Sequence, residues 1–133
     1  MLEAGIVKLV MADDAVKAIC AAGGFLATLP KDIVLPSWTY RAISDHSSYC
    51  LQGEHGFVTR RLQIDCFGTA REDAMLLGKA INKVLSGYRG TLADSDSTIV
   101  FGCFRSDLQD PPLDEAARTY RRMLEYEIDF HEV

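Results

Sequence analysis

The sequence predicts an α+β fold, a mainly antiparallel sheet with one long helix and a short N-terminal helical segment packed on one face. Three observations predict it. Between Thr69 and Leu85, Ala70, Ala74, Leu77, Ile81, Val84 and Leu85 recur at three- and four-residue spacing, with Arg71, Glu72, Asp73, Lys79, Asn82 and Lys83 mostly on the other side. Two segments alternate instead with period two. In 57–67, Val58, Leu62, Ile64 and Cys66 oppose Arg61, Gln63 and Asp65; in 119–131, Tyr120, Arg122, Leu124, Tyr126, Ile128 and Phe130, nearly all apolar or aromatic, oppose Thr119, Arg121, Glu125, Glu127, Asp129 and His131, which are polar, Met123 excepted. The connections flanking the long helix are short, which suits neighbouring antiparallel strands with helices on one face.

Residues 3–20 read as one broken helix or two short ones, with Ile6, Val7, Leu9 and Val10 as an apolar patch and Asp13 or Asp14 as a cap for Val16 and Ile19. Gly23-Gly24 ends that segment. A short strand is expected over Phe25 to Leu29, and Pro36 opens a second over Ser37 to Ser44, where a residue without an N–H is tolerated at the start. The stretch Asp45 to Gly56, DHSSYCLQGEHG, has the composition of a connection but exceeds a tight hairpin, so it is expected to hold extended arms. In the strand that follows, Arg60 interrupts the apolar side. Thr69 with Glu72 has the spacing of a capping box for the long helix, and Gly87 can supply its left-handed terminating residue. Tyr88, Arg89 and Gly90 turn the chain onward, Thr98 to Arg105 reads as a strand, and Pro111-Pro112 separates it from the last one.

With 133 residues the chain is expected to form one domain that buries roughly two thirds of the surface its unfolded form exposes. The net charge of −5 argues against a general nucleic-acid binder, because phosphate affinity comes mainly from clustered Lys and Arg. Cys20, Cys50, Cys66 and Cys103 are widely spaced, and nothing near Met1 resembles a basic region followed by an apolar signal core. Reduced thiols made in a cytoplasm are the expectation. The longest uncharged run, Ala18 to Pro30, is 13 residues, short of the ~20 that a membrane-spanning helix requires.

No phosphate-binding loop, nucleophile elbow or zinc-protease motif is present, and no catalytic residue, metal ligand or cofactor is assigned. The most site-like cluster is His46, Cys50 and His55, with Cys66 beyond it, since imidazole and thiolate suit zinc. Its spacing, H-x3-C-x4-H, matches no standard structural zinc module, and a polar loop with an incidental cysteine is the simpler reading. The Arg60-Arg61 and Arg121-Arg122 pairs each split across two faces of a strand, which favours salt bridges over a phosphate patch. Trp38 and Tyr88 read as packing residues.

The opening LEAGIVKLVMADDAVKAI, the segment LPSWTYRAIS, the strand RRLQIDCFG, the helix with its SGYRGTL exit and the closing YRRMLEYEIDF occur in an order that resembles the small tail-completion proteins of tailed bacteriophages and prophages. The resemblance spans nearly the whole chain. It implies an α+β subunit without enzymatic activity, similar to tail-to-head joining and tail-terminator proteins, that forms rings, commonly hexameric, at the head-proximal end of the tail. The implied partners are further copies of itself, the tail tube protein and the head-tail connector protein, with no sequence-specific nucleic acid binding and no membrane. Assembly in the bacterial host cytoplasm and residence in the virion tail follow.

A ring subunit needs two different patches that complement each other, and sheet edges and the Asp45–Gly56 connection are the candidates. Tyr49 and Leu51 are apolar within a polar stretch; with His46, His55, Phe57, Arg60 and Arg61 they make the mixture of aromatic and Arg residues enriched at protein interfaces. Six copies at −5 each would give a formal −30, which suits a channel that must let DNA pass without holding it. A small cytosolic ligand-binding or regulatory domain, with its ligand between helix and sheet, is the alternative. A metal-dependent enzyme using His46, Cys50 and His55 is a third.

Overall fold

The computed structural model describes residues 2–50 and 53–131, and side chains outside 47–56. The chain opens with α1 (Leu2–Met11) and α2 (Asp14–Ile19). Asp13 breaks them apart by capping the second: its carboxylate accepts the Val16 N–H at 3.2 Å, which satisfies one of the donors left over in a first helical turn. Strand β1 (Gly24–Leu26) is shorter than the Phe25–Leu29 expectation because Ala27 takes φ +63° and Thr28 N–H closes back on the Leu26 carbonyl. It lies parallel to β2 (Ser37–Cys50), which pairs antiparallel with β3 (Gly53–Gly68).

The long helix α3 spans Arg71–Leu85, and the capping box expected from Thr69 and Glu72 does not form. The N-cap is Ala70, with no side-chain hydrogen bond. Strand β3 runs so close to the helix that a Cβ on Gly68 would lie 2.8 Å from the Ala74 nitrogen, and this tight entry moves the cap position one residue past Thr69. Glu72 and Asp73 in the first turn still complement the positive end of the helix dipole. At the other end Gly87 takes φ +80°, as the helix stop requires, and its N–H donates to the Cys103 carbonyl at 2.7 Å. The helix exit is thereby tied to β5 (Ile99–Gln109), which is edged by the short β4 (Gly90–Thr91). Asp94 closes the turn between them by accepting both the Thr98 N–H and the Thr98 hydroxyl. Strand β6 (Tyr120–His131) completes the sheet between β3 and β5.

The strand order is β1-β2-β3-β6-β5-β4, antiparallel throughout except for the β1–β2 pair. One face carries the helices. There Leu62 opposes Tyr126, Ile64 opposes Leu124 and Val58 opposes Phe130, all buried under Leu77, Ile81 and Leu85 of α3. The Tyr126 hydroxyl donates to Asn82 at 2.8 Å, so this buried phenol has its partner. Trp38 is fully buried and its indole N–H points at the Met11 sulfur, 3.4 Å away, linking α1 to β2.

At the sheet's edges the flanking strands cover little. β1 pairs with β2 only at Trp38, Thr39 and Tyr40, and β4 with β5 only at Ile99 and Val100. Both longer strands are bulged beyond that cover, between Ala42 and Ser44 and between Arg105 and Asp107. The Asp107 carboxylate accepts the Leu108 N–H and the Gln109 amide.

Leu77→Ala, which empties a fully buried position under α3, should lower unfolding stability by about 2–5 kcal/mol in a urea titration. Asp13→Ala should cost about 1 kcal/mol through the lost cap, whereas Thr69→Ala should change stability by less than ~0.5 kcal/mol.

Candidate protein-interaction surface

The stretch expected as a connection with arms is largely strand. β3 pairs with β6 as far as Phe57 opposite His131, while the β2–β3 pairing continues to Tyr49 opposite Glu54 and Cys50 opposite Gly53. Among the described residues, a two-stranded ribbon therefore runs past the end of β6, by roughly 10–15 Å at about 3.3 Å per residue. Hydrophobic alternation is missing from its sequence.

The base of that ribbon is held by Arg60, the charged residue within the apolar side of β3. Its Nε and Nη2 donate to the two carboxylate oxygens of Asp45, the residue directly opposite on β2, at 2.6 and 2.8 Å. Its Nη1 donates to Glu3 of α1 at 2.6 Å, and its guanidinium lies 5.1 Å from the centre of the Phe130 ring. The side chains of Arg60 and Glu3 are only 13% and 10% exposed, so this cation cements the helix layer to the hairpin. The flat, forked guanidinium suits the task, since it serves two carboxylates while stacking on an aromatic face. A second buttress of the same kind joins Arg122 to Asp110 at 2.8 and 3.0 Å.

The remaining expected residues fall as follows. His46 is exposed opposite Thr59. Phe57 is half-buried and stacks on Phe101 with ring centres 5.4 Å apart. Arg61 is exposed on the sheet face away from the helices and pairs with Glu125. The side chains of Tyr49 and His55, and Leu51 altogether, lie outside the described residues. So does the Cys50 thiol, whereas Cys66 is fully buried opposite Trp38, far along β3 from His46 and facing the core. Cys66 is thus no companion to His46. Burial raises its thiol well above the usual range and pushes that of Cys103 up to about 12, which keeps both protonated. The space between helix and sheet to which the alternative reading assigns a ligand is filled by Leu62, Ile64, Leu77, Ile81 and Leu124, each fully buried.

Two exposed apolar groups were not anticipated. On the uncovered sheet face, Ile99, Phe101 and Phe104 join Phe57; on the outer side of α3, Met75 and Leu76 line a shallow groove of about 530 Å3 with Arg71, Glu72, Lys79 and Arg122. The second was visible in principle. Ala74-Met75-Leu76-Leu77 is four apolar residues in succession, too many for one face of a helix. The first was concealed by the bulge between Val100 and Gly102, which places Phe101 and Phe104 on one side despite their odd spacing.

The Arg60 guanidinium holds the Asp45 carboxyl below its ordinary value, and Arg122 does the same to Asp110. A carboxyl lowered in the folded state contributes stability that is fully present above its unfolded value and is lost as pH falls through the folded one. Stability should therefore decline below about pH 4, the ordinary carboxylate value, and less steeply in Arg60→Met. At neutral pH Arg60→Met should cost about 2–3 kcal/mol in denaturant unfolding. It strands Glu3 in a partly buried position, although Asp45 can turn to water.

Comparisons with known proteins agree with this architecture. A chain of a solved structure described as the virion of a native gene transfer agent particle superposes with a TM-score of 0.79 at 15% identity, covering 98% of this chain and 94% of that one. It shares the fold. A search of curated proteins found no match. The family described as tail completion protein gp17 matches residues 4–129, nearly the full length, and this chain therefore belongs to that family of structural phage tail proteins.

Proposed function

We propose that the protein is a ring subunit, in a hexamer, which ends the tail tube at its head-proximal side and presents a surface to the head connector. The observation that carries this reading is the two-stranded ribbon running past the sheet, braced at its root by Arg60 against Glu3 and Asp45. A rigid root with a reach beyond the body suits a contact made with another subunit, and its sequence supplies Tyr49 and Leu51 as anchors among polar residues. Family membership over 4–129 supports the tail role, and a related fold within a virion particle is consistent with incorporation into one. The formal charge of −5 per subunit suits a passage for DNA.

The reading is tested by complementing a phage or prophage that lacks the gene. Tyr49→Asp with Leu51→Asp should leave the isolated chain folded, as judged by its thermal unfolding, while the yield of tails joined to heads falls by about tenfold or more, the loss expected for burying a charge at an anchor. Normal yields from that variant would remove the ribbon from the interface. Tails that form and join without the protein altogether would remove the role itself.

A further inference from the structure

Two unlike apolar groups lie on opposite sides of the molecule, and their surroundings differ in charge. The outer side of α3 exposes Met75 and Leu76, the latter by 45%, amid Arg71, Lys79 and Arg122 with Glu72. The uncovered sheet face exposes Phe101 and Phe104, the latter by 58%, beside Ile99 and Phe57. Glu127 stands directly opposite Phe104 on β6, with Glu125 and Asp129 to either side along the same strand and Arg61 across from it. One patch is thus rimmed mainly by cations, the other mainly by carboxylates.

We infer that the helix patch of one copy docks on the sheet patch of the next, with Leu76 and Met75 against Phe104 and Phe101, and Lys79 and Arg71 facing Glu127 and Asp129. The inference rests on the proposal that copies join into a ring, and it names the surfaces they use. A contact between different patches on opposite sides of one subunit is heterologous, the kind that closes by rotation instead of pairing two copies and stopping. Apolar centres with complementary charged rims are how such contacts gain both affinity and a fixed orientation. Arg61 and Glu125 are already paired within the subunit, and so are Thr59 and Asp129, the threonine hydroxyl donating at 2.6 Å. The cross-strand partners hold the rim in place before docking.

Sedimentation equilibrium of the full chain, up to about 1 mM, tests this with Leu76→Glu and Phe104→Lys, each placing a charge of the same sign as the opposing rim. Both positions are well exposed, and equal thermal midpoints with wild type would show that folding is kept. Wild type should self-associate and each variant alone should do so at least about tenfold more weakly. Mixed together, the two variants should associate again, since one retains its sheet patch, the other its helix patch, and the remaining contact sets the carboxylate of Leu76→Glu against the ammonium of Phe104→Lys. Glu127→Lys should also weaken association, and adding Lys79→Glu in the same chain should restore it. Wild type that stays monomeric over this range, a variant that associates like wild type, or a mixture that stays monomeric would each overturn the contact. Tail completion by Leu76→Glu and Phe104→Lys in the complementation assay would sink the contact while leaving the tail role standing; its loss for the gene deletion tests the role separately.

Discussion

Everything in this molecule is arranged around burial on one side of the central strand pair. β3 and β6 present Val58, Leu62, Ile64, Leu124, Tyr126, Ile128 and Phe130 to the helices, and at full burial each such side chain is worth about 1.5–3 kcal/mol relative to exposure. A one-residue slip of either strand would turn that set toward water, so the register is strongly fixed. Arg60 sits inside this stripe, opposite Ile128, and is tolerated only because Glu3, Asp45 and the Phe130 ring receive it. The polar exception couples three elements that apolar packing alone would leave less firmly joined: the first helix, the hairpin and the last strand.

Much of the fold was legible in the sequence for this reason. Single-sided burial writes period two into 57–67 and 120–130 and a helical period into 70–85, and the structure has strands and a helix there. Asp13 was legible as a cap and Gly87 as a stop because each acts through its own local backbone. What failed to show depended on distant partners. Thr69 and Glu72 have the right spacing, yet the close approach of Gly68 to the helix decides where the first turn begins. The outer halves of β2 and β3 were legible as extended arms of a long connection, though not as continuations of the two strands.

The candidate surface was legible in part. Composition singled out the ribbon and the Arg60-Arg61 pair, and alternation that the two arginines part company, but not which carboxylates receive them. Arg60 serves the inner brace and Arg61 the outer rim, because neighbours on a strand face opposite ways. Ile99, Phe101 and Phe104 escaped notice since a bulge reassigns which side each residue faces, and a bulge leaves no reliable mark in sequence.

The borders of the sheet have a consequence of their own. Open strand edges invite indefinite growth by backbone pairing, and here the exposed runs of β2 and β5 are kinked and carry Arg41, Asp45, Arg105 and Asp107. Asp107 also accepts the Leu108 N–H. Fibre-like propagation is discouraged at both margins, leaving side-chain surfaces to govern how many copies come together. Such a subunit can be made in advance and stored at concentration without polymerising along its sheets.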